Sequence, residues 1–170
     1  MKLELTRCTV RDWRMEDVES LAKHANNRRV SINLRDRFPY PYRIENARSF
    51  IEHAITDRRE KSHCIEIDGS AVGGIGITIG EDVYRLTAEM GYWLAEEFWG
   101  QGIMSEVVPA FVNHCFEKFS LKRIYATTYS TNPASARVLE KAGFLFEGLL
   151  HKNVVKDGEI LDSLLYAKTI

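Results

Sequence analysis

The segment Ser105–Phe119 constrains this chain more than any other. Val107, Val108, Phe111, Val112, Cys115 and Phe119 recur there at helical spacing, which predicts an amphipathic helix with one apolar face to bury. Immediately before it stands Phe98-Trp99-Gly100-Gln101-Gly102-Ile103-Met104, and before that the run Ala88–Leu94, which reads as a strand. A strand, a glycine loop and a helix in that order call for a sheet on which the helix can lie.

The other segments supply that sheet. Leu3, Leu5 and Val10 suggest an opening strand, and Glu16–Ala25 carries Val18, Leu21, Ala22 and Ala25 at helical spacing. Two prolines break regular structure at Phe38-Pro39-Tyr40-Pro41-Tyr42. Glu45–Arg58 reads as a second amphipathic helix, with Ala47, Phe50, Ile51, Ala54 and Ile55 on one face. His63–Ile67, the turn Asp68-Gly69 and Ala71–Ile79 read as a hairpin, in which Gly73, Gly74 and Gly76 signal a bulge or a close backbone approach. Arg123–Thr128 is a strand and Pro133–Ala142 a short helix. Phe144–Val155 and Glu159–Lys168 close the chain as a hairpin through Asp157-Gly158. The order β-α-α-β-β-β-α-β-α-β-β predicts a mixed α/β sheet covered by helices. Without repeats, low-complexity tracts or a linker, residues 1–170 read as one domain.

Composition narrows the ligands. The formal net charge of −1 leaves no electrostatic footprint for nucleic acid or an anionic membrane. A phosphate-bearing ligand must therefore be held by local geometry. Cys8, Cys64 and Cys115 show no C-x-x-C spacing and the five histidines no ligand spacing, so no metal site is expected. His114 and Cys115 are adjacent on a helix and read as a surface histidine beside a core cysteine rather than a nucleophile pair. No signal-peptide core and no membrane-spanning run is present, and a cytoplasmic location is expected.

The glycine loop offers what a neutral protein needs to hold phosphate: unpaired backbone N–H groups at the positive end of a helix dipole. A plain turn into the helix explains the same glycines. No Gly-Lys-Ser/Thr follows, which excludes a Walker loop. The dinucleotide fingerprint requires an acid about 20 residues on. Tyr125-Ala126-Thr127-Thr128-Tyr129-Ser130 contains none. A second constellation, Asn132-Pro133-Ala134-Ser135 followed by Gly143-Phe144, reads structurally as a helix with an asparagine N-cap, proline at its first position and glycine past its end.

Together the two constellations are similar to the core motifs of the GNAT superfamily of N-acetyltransferases. On the family's Arg/Gln-x-x-Gly-x-Gly/Ala pattern, Gly102 matches the first glycine, Trp99 replaces the Arg/Gln and Met104 replaces the small residue. Trp99-Gly100-Gln101-Gly102, Glu89-Met90-Gly91-Tyr92-Trp93-Leu94 and Leu139-Glu140-Lys141-Ala142-Gly143-Phe144 resemble one branch, that of the ribosomal-protein N-terminal acetyltransferases and their relatives. Phe38-Pro39-Tyr40-Pro41-Tyr42 resembles the same branch.

The resemblance implies the GNAT fold, a mostly antiparallel sheet of about seven strands with about four helices, and acetyl-CoA as acyl donor. It implies that Trp93 and Leu94 offer backbone contacts to the pantetheine arm. Trp99, Gly100, Gln101, Gly102, Met104 and Ser105 would cradle the pyrophosphate, and Asn132 and Ser135 would touch the cofactor. Direct attack by an amine needs no enzyme nucleophile. Glu89 is the candidate base, a solvated strand carboxylate being the alternative. Many family members carry a tyrosine acid where this chain has Leu139, which leaves Tyr92 and Ser130 as substitutes. A protein N-terminus is the implied acceptor. The alternatives are a small-molecule amine such as a polyamine, amino sugar or antibiotic, and a non-catalytic acyl-CoA-binding module. Glu81-Asp82, Glu96-Glu97 and Asp36 are the acids that could draw in a cationic amine. A monomer and a homodimer are both compatible with these motifs.

Overall fold

In a computed structural model that describes residues 1–57 and 60–170, the stripe on Ser105–Phe119 is buried as its spacing requires, with Val107, Val108, Phe111, Val112 and Cys115 fully enclosed. The strands are β1 (Lys2–Glu4), β2 (Thr9–Asp12), β3 (Glu60–Ile67), β4 (Ser70–Ile79), β5 (Thr87–Leu94), β6 (Arg123–Tyr129), β7 (Leu145–Lys156) and β8 (Glu159–Thr169). The helices are α1 (Val18–Ala25), α2 (Arg28–Ser31), α3 (Ile44–Thr56), α4 (Ile103–Phe119) and α5 (Pro133–Lys141). Among the described residues the eight strands form one sheet in the order β1-β2-β3-β4-β5-β6-β8-β7. Every neighbouring pair is antiparallel except β5 and β6.

Period-two alternation divides the core between two groups of helices. Val10, Ile65, Ile75 and Ile77 share a cluster with the α4 stripe and Leu139 of α5. Cys64 and Ala71 belong instead to a cluster with Leu21 of α1, Ile51 of α3 and Trp13. The glycines of β4 serve close approach and border a bulge. A Cβ on Gly74 would come within 2.8 Å of Trp93 Nε1 and 3.2 Å of Trp13 Cζ2, so only glycine lets the Trp93 indole cross that strand. The β3–β4 register shifts between Ile65 and Glu66.

Three details depart from the sequence reading. The opening segment is a hairpin rather than one strand, turned by a Leu5 N–H to Cys8 carbonyl bond of 2.9 Å, and Thr6-Arg7 carries none of the usual turn residues. Helix α2 is four residues long, too short for periodicity to reveal, and is capped by Asn27 Oδ1 accepting from Arg29 N–H at 2.8 Å. Helix α4 begins at Ile103 rather than Ser105, because Gly102 itself is the N-cap. The expected end of α3 at Arg58 lies outside the described residues. No described helix is long and apolar enough to cross a membrane.

One feature of the sheet positions the site. β5 and β6 pair only at Thr87↔Arg123, Ala88↔Ile124 and Glu89↔Tyr125. Beyond that rung β5 continues with β4 as far as Leu94, and β6 with β8 as far as Tyr129. The two strands therefore separate, and a gap opens in the middle of the sheet.

Candidate active site

The gap leads to the glycine loop. Trp99 Nε1 donates to the Leu94 carbonyl at 2.7 Å and ties the loop to the end of β5. Gly100 and Gly102 follow with φ of +74° and +78°, the left-handed region that glycine adopts without strain. Among the described residues no acceptor takes the N–H of Gly100, Gln101 or Gly102. Of the first N–H groups of α4, which have no carbonyl within the helix to reach, that of Ser105 bonds back to the Gly102 carbonyl at 3.1 Å. A cradle of backbone donors is thus formed, and beside Gly102 the nearest neighbour of an added Cβ would be the Arg7 guanidinium carbon at 3.9 Å. Arg7 is itself paired with Glu106 in the first turn of α4. Trp99, Gly100, Gly102, Met104 and Ser105 all line a cavity of about 1060 Å³. Gln101 is the exception: it is exposed, and its side chain bonds the Glu97 carbonyl at 2.9 Å. The Met104 side chain packs in the core, which explains how the loop accommodates a large residue there.

Strand register decides which backbone groups face the gap. Ala95 N–H donates to Val72 O and Gly80 N–H to Thr87 O, both at 2.8 Å, at the two ends of an unbroken β4–β5 register. Antiparallel pairing alternates, so odd-numbered residues of β5 direct their N–H and C=O to β4, and even-numbered ones towards β6. Leu86, whose carbonyl accepts from Lys122 N–H at 2.8 Å, follows the same parity. Tyr92 and Leu94 therefore present backbone groups to the gap. Trp93 does not, which corrects its expected backbone role: its groups serve the β4 ladder, and its indole is what reaches the cavity.

Across the gap, α5 presents Asn132 and Ser135. Asn132 Oδ1 caps the helix by accepting from Ser135 N–H at 3.2 Å, and among the described residues no acceptor takes its Nδ2 donors on the cavity wall. Ser135 Oγ lies 2.8 Å from the Tyr92 hydroxyl. Burial pushes the Tyr92 phenol up to about 12, against a smaller opposing effect of that hydrogen bond. Leu139 is 1% exposed and belongs to the core while also bordering the cavity, and its aliphatic side chain has no proton to give. Ser130 is exposed beyond the end of β6, its N–H bonded to Asp162 O at 3.0 Å, and it is not part of the cavity wall. Position alone separates it from Tyr92, a distinction that two hydroxyls in sequence do not reveal. Cys115 is fully enclosed, and burial pushes its thiol up to about 12, the opposite of an activated thiolate.

The far end of the cavity is built from β3, β5 and the segment between α2 and α3. Glu89 lines it but is engaged by the Arg35 guanidinium. Arg37 holds Glu60 through bonds of 3.1 and 3.3 Å. Sequence reasoning missed Arg35, Arg37 and Glu60 as site residues, although Arg35-Asp36-Arg37 stands directly before the proline-broken segment. The acids expected to attract an amine lie elsewhere. Asp36 is taken by Lys156 at 2.8 Å, Glu96 by Asn27 at 2.8 Å and by Arg29, and Glu97 faces His24 at 3.2 Å. None of these three, nor Glu81 or Asp82, lines the cavity.

A family model for the acetyltransferase (GNAT) domain matches residues 7–145. The chain is 28% identical over 136 residues to the SPbeta prophage-derived uncharacterized N-acetyltransferase YokL of Bacillus subtilis (strain 168), covering 79% of this chain and 75% of that one. It is 37% identical over 84 residues to the ribosomal-protein-serine acetyltransferase of Escherichia coli (strain K12), covering 49% and 47% of the two chains. Several such matches span about half the length of the curated relative. Among solved structures, RimL, a ribosomal L7/L12 alpha-N-protein acetyltransferase in complex with coenzyme A, superposes with a TM-score of 0.89 at 24% identity. That match covers 100% of this chain and 98% of the other, a likeness of fold.

Proposed function

The chain belongs to the GNAT family of N-acetyltransferases, and from that membership we propose that it moves the acetyl group of acetyl-CoA onto a protein N-terminal α-amino group. The observation that carries this reading is the gap between β5 and β6, bounded by the glycine loop at one end and the Tyr92–Ser135 contact beside it. Acetyl-CoA supplies an acetyl group already activated as a thioester. The N–H groups of Gly100, Gly102 and Met104 would take its phosphates, with Asn132 Nδ2 as a further donor and Ser105, whose N–H is held by the Gly102 carbonyl, on the same wall. Gln101 would contribute through its backbone alone.

This chain's own groups then handle protons and charge. The N–H of Tyr92 or that of Leu94 would donate to an oxygen that gains negative charge in the gap, a role that rewards a fixed donor. Tyr92 keeps its proton throughout the neutral range and can release it from Oη into the gap. Glu89 would accept the proton of the attacking amine once Arg35 yields its place. An α-amine has a pKa of about 7.7–8.0 and is appreciably neutral near pH 7, whereas a lysine amine at about 10.4 is not, so an N-terminal acceptor asks little of that base. Similarity to the ribosomal-protein-serine acetyltransferase of Escherichia coli supports the same acceptor class.

The test is an acceptor screen with acetyl-CoA covering peptides of varied first residue, polyamines and aminoglycosides. Release of free thiol should accompany peptides, with mass spectrometry locating the acetyl group on the α-nitrogen. Turnover with polyamines or aminoglycosides alone would replace the acceptor. Tight acetyl-CoA binding without thiol release from any acceptor would make the chain a binding module and sink the proposal.

A further inference from the structure

The triplet Arg35-Asp36-Arg37 holds three strands at once. Arg35 pairs with Glu89 on β5, Asp36 accepts from Lys156 on β7 at 2.8 Å, and Arg37 grips Glu60 on β3. The three contacts differ in permanence. Lys156 is 5% exposed at its side chain and gives Asp36, itself 79% exposed, a buried partner. The Arg35 and Arg37 side chains are 59% and 65% exposed, and ion pairs so open to water exchange readily. Of these six groups, Arg35, Arg37, Glu60 and Glu89 line the cavity, at the end where an amine would meet Glu89.

An amine arriving at Glu89 therefore finds a guanidinium in place. Arg35 has donors only and cannot accept a hydrogen bond from an ammonium group. The amine must displace it or share the carboxylate with a like charge. A displaced Arg35 keeps its backbone place beside the cavity, because its neighbour Asp36 accepts from Lys156. To receive it, Glu60 would have to exchange one guanidinium for another, since Arg37 bonds both of that carboxylate's oxygens. An acceptor that carries its own carboxylate close to its amine resolves both problems. Its amine replaces Arg35 on Glu89, and its carboxylate takes the released guanidinium. Even before full exchange, Arg35 uses only Nη2 on Glu89, which leaves further donors of its planar fork for a second carboxylate.

We propose that the acceptor site selects amines bearing a nearby carboxylate, in a peptide an Asp or Glu directly after the first residue, and that Arg35 is the residue that reads it. This deepens the N-terminal reading and rests on it. The carboxylate could equally be the α-carboxylate of a free amino acid, and the experiment has an arm for each.

Steady-state rates at saturating acetyl-CoA would be measured with three peptides that begin Ser-Glu, Ser-Gln and Ser-Lys and are otherwise identical, beside free serine and serinamide. The expected KM for the Ser-Glu peptide is about tenfold below that for Ser-Gln, the usual advantage of a charge-assisted bond over a neutral one. Preference for Ser-Glu should vanish in Arg35→Gln, persist in Arg35→Lys, and turn towards Ser-Lys in Arg35→Glu. Serine preferred over serinamide, with peptides discriminated poorly, would assign the carboxylate to a free amino acid. Equal KM for Ser-Glu and Ser-Gln together with equal KM for serine and serinamide overturns the inference in the unmodified chain, whatever the variants do. A Ser-Glu preference that survives Arg35→Gln overturns the role of Arg35. If no peptide or amino acid is acetylated while polyamines are, the N-terminal reading falls as well. Acetylation of peptides without acid preference, together with equal KM for serine and serinamide, defeats only the inference. Acetyl-CoA affinity by calorimetry reports whether each variant has folded.

Discussion

The Tyr92 hydroxyl lies 2.8 Å from Ser135 Oγ and 3.2 Å from the Ser135 carbonyl oxygen, joining β5 to α5 beside the gap where β5 and β6 part. If that hydroxyl delivers a proton during transfer, Tyr92→Phe should lower kcat by about 10²-fold or more, the usual worth of a positioned acid, with acetyl-CoA affinity nearly unchanged. Ser135→Ala removes the partner and keeps the phenol, so its loss should be smaller. Steady-state kinetics of both variants checks this. A Tyr92→Phe enzyme with full kcat and lowered stability would make the pair a structural strut.

Glu89→Gln tests the proposed base. Its kcat should fall by about 10²–10⁴ and recover as pH rises, because an amine that is already neutral needs no base. The variant also releases Arg35 from its partner. A rise in KM for the amine, with kcat maintained and no relief at alkaline pH, would instead mean that Glu89 only binds the acceptor. The pH–rate profile with one verified acceptor separates the two.

Asn132 has two separable duties. Its Oδ1 caps α5, and losing it in Asn132→Ala should cost about 1 kcal/mol of stability by denaturant unfolding. Asn132→Asp keeps a capping oxygen but replaces the Nδ2 donors with negative charge. It should weaken acetyl-CoA binding more than it weakens the fold. Parallel effects of the two substitutions on stability, with affinity untouched, would leave only the cap.

Stability should decline in alkali. Burial pushes Tyr42, Tyr92, Cys64 and Cys115 up to about 12. The unfolded chain releases these protons near the ordinary values of 9.0 for thiols and 10.0 for phenols, so between there and about 12 the folded state holds more protons than the unfolded one. Stability is then fully present below pH 9 or so and is lost as pH rises towards 12. Urea midpoints measured between about pH 8 and pH 10.5 should fall steadily, and a flat profile would show that these groups titrate normally.

The elements came through the sequence because their signals are local. The α4 stripe, the Asp68-Gly69 and Asp157-Gly158 turns, and the Asn132–Pro133 start of α5 each sit within a few residues of what they determine. Pro109 inside α4 did not obscure the helix, since the apolar stripe runs through it. The glycine loop was legible for the same reason. What escaped was long-range. Arg35 and Glu89 are 54 residues apart, and Tyr92 and Ser135 are 43 apart. Backbone direction also escaped: that Leu94 faces the gap and Trp93 does not depends on a β4–β5 register of which a single strand carries no trace.

Cofactor binding at the glycine loop is the claim on which the rest depends, and titration calorimetry of acetyl-CoA into Gly102→Asp tests it most directly. Aspartate tolerates the left-handed backbone of position 102 better than most residues, and the space beside it is open apart from Arg7, so the fold should survive by circular dichroism. Its carboxylate would put negative charge where backbone N–H groups should meet phosphate, costing on the order of 1–3 kcal/mol or more. The expected result is acetyl-CoA binding at least about tenfold weaker than in the unmodified chain, with the fold intact. Unchanged affinity in a folded variant would contradict the assignment of this loop, and with it the account of the site.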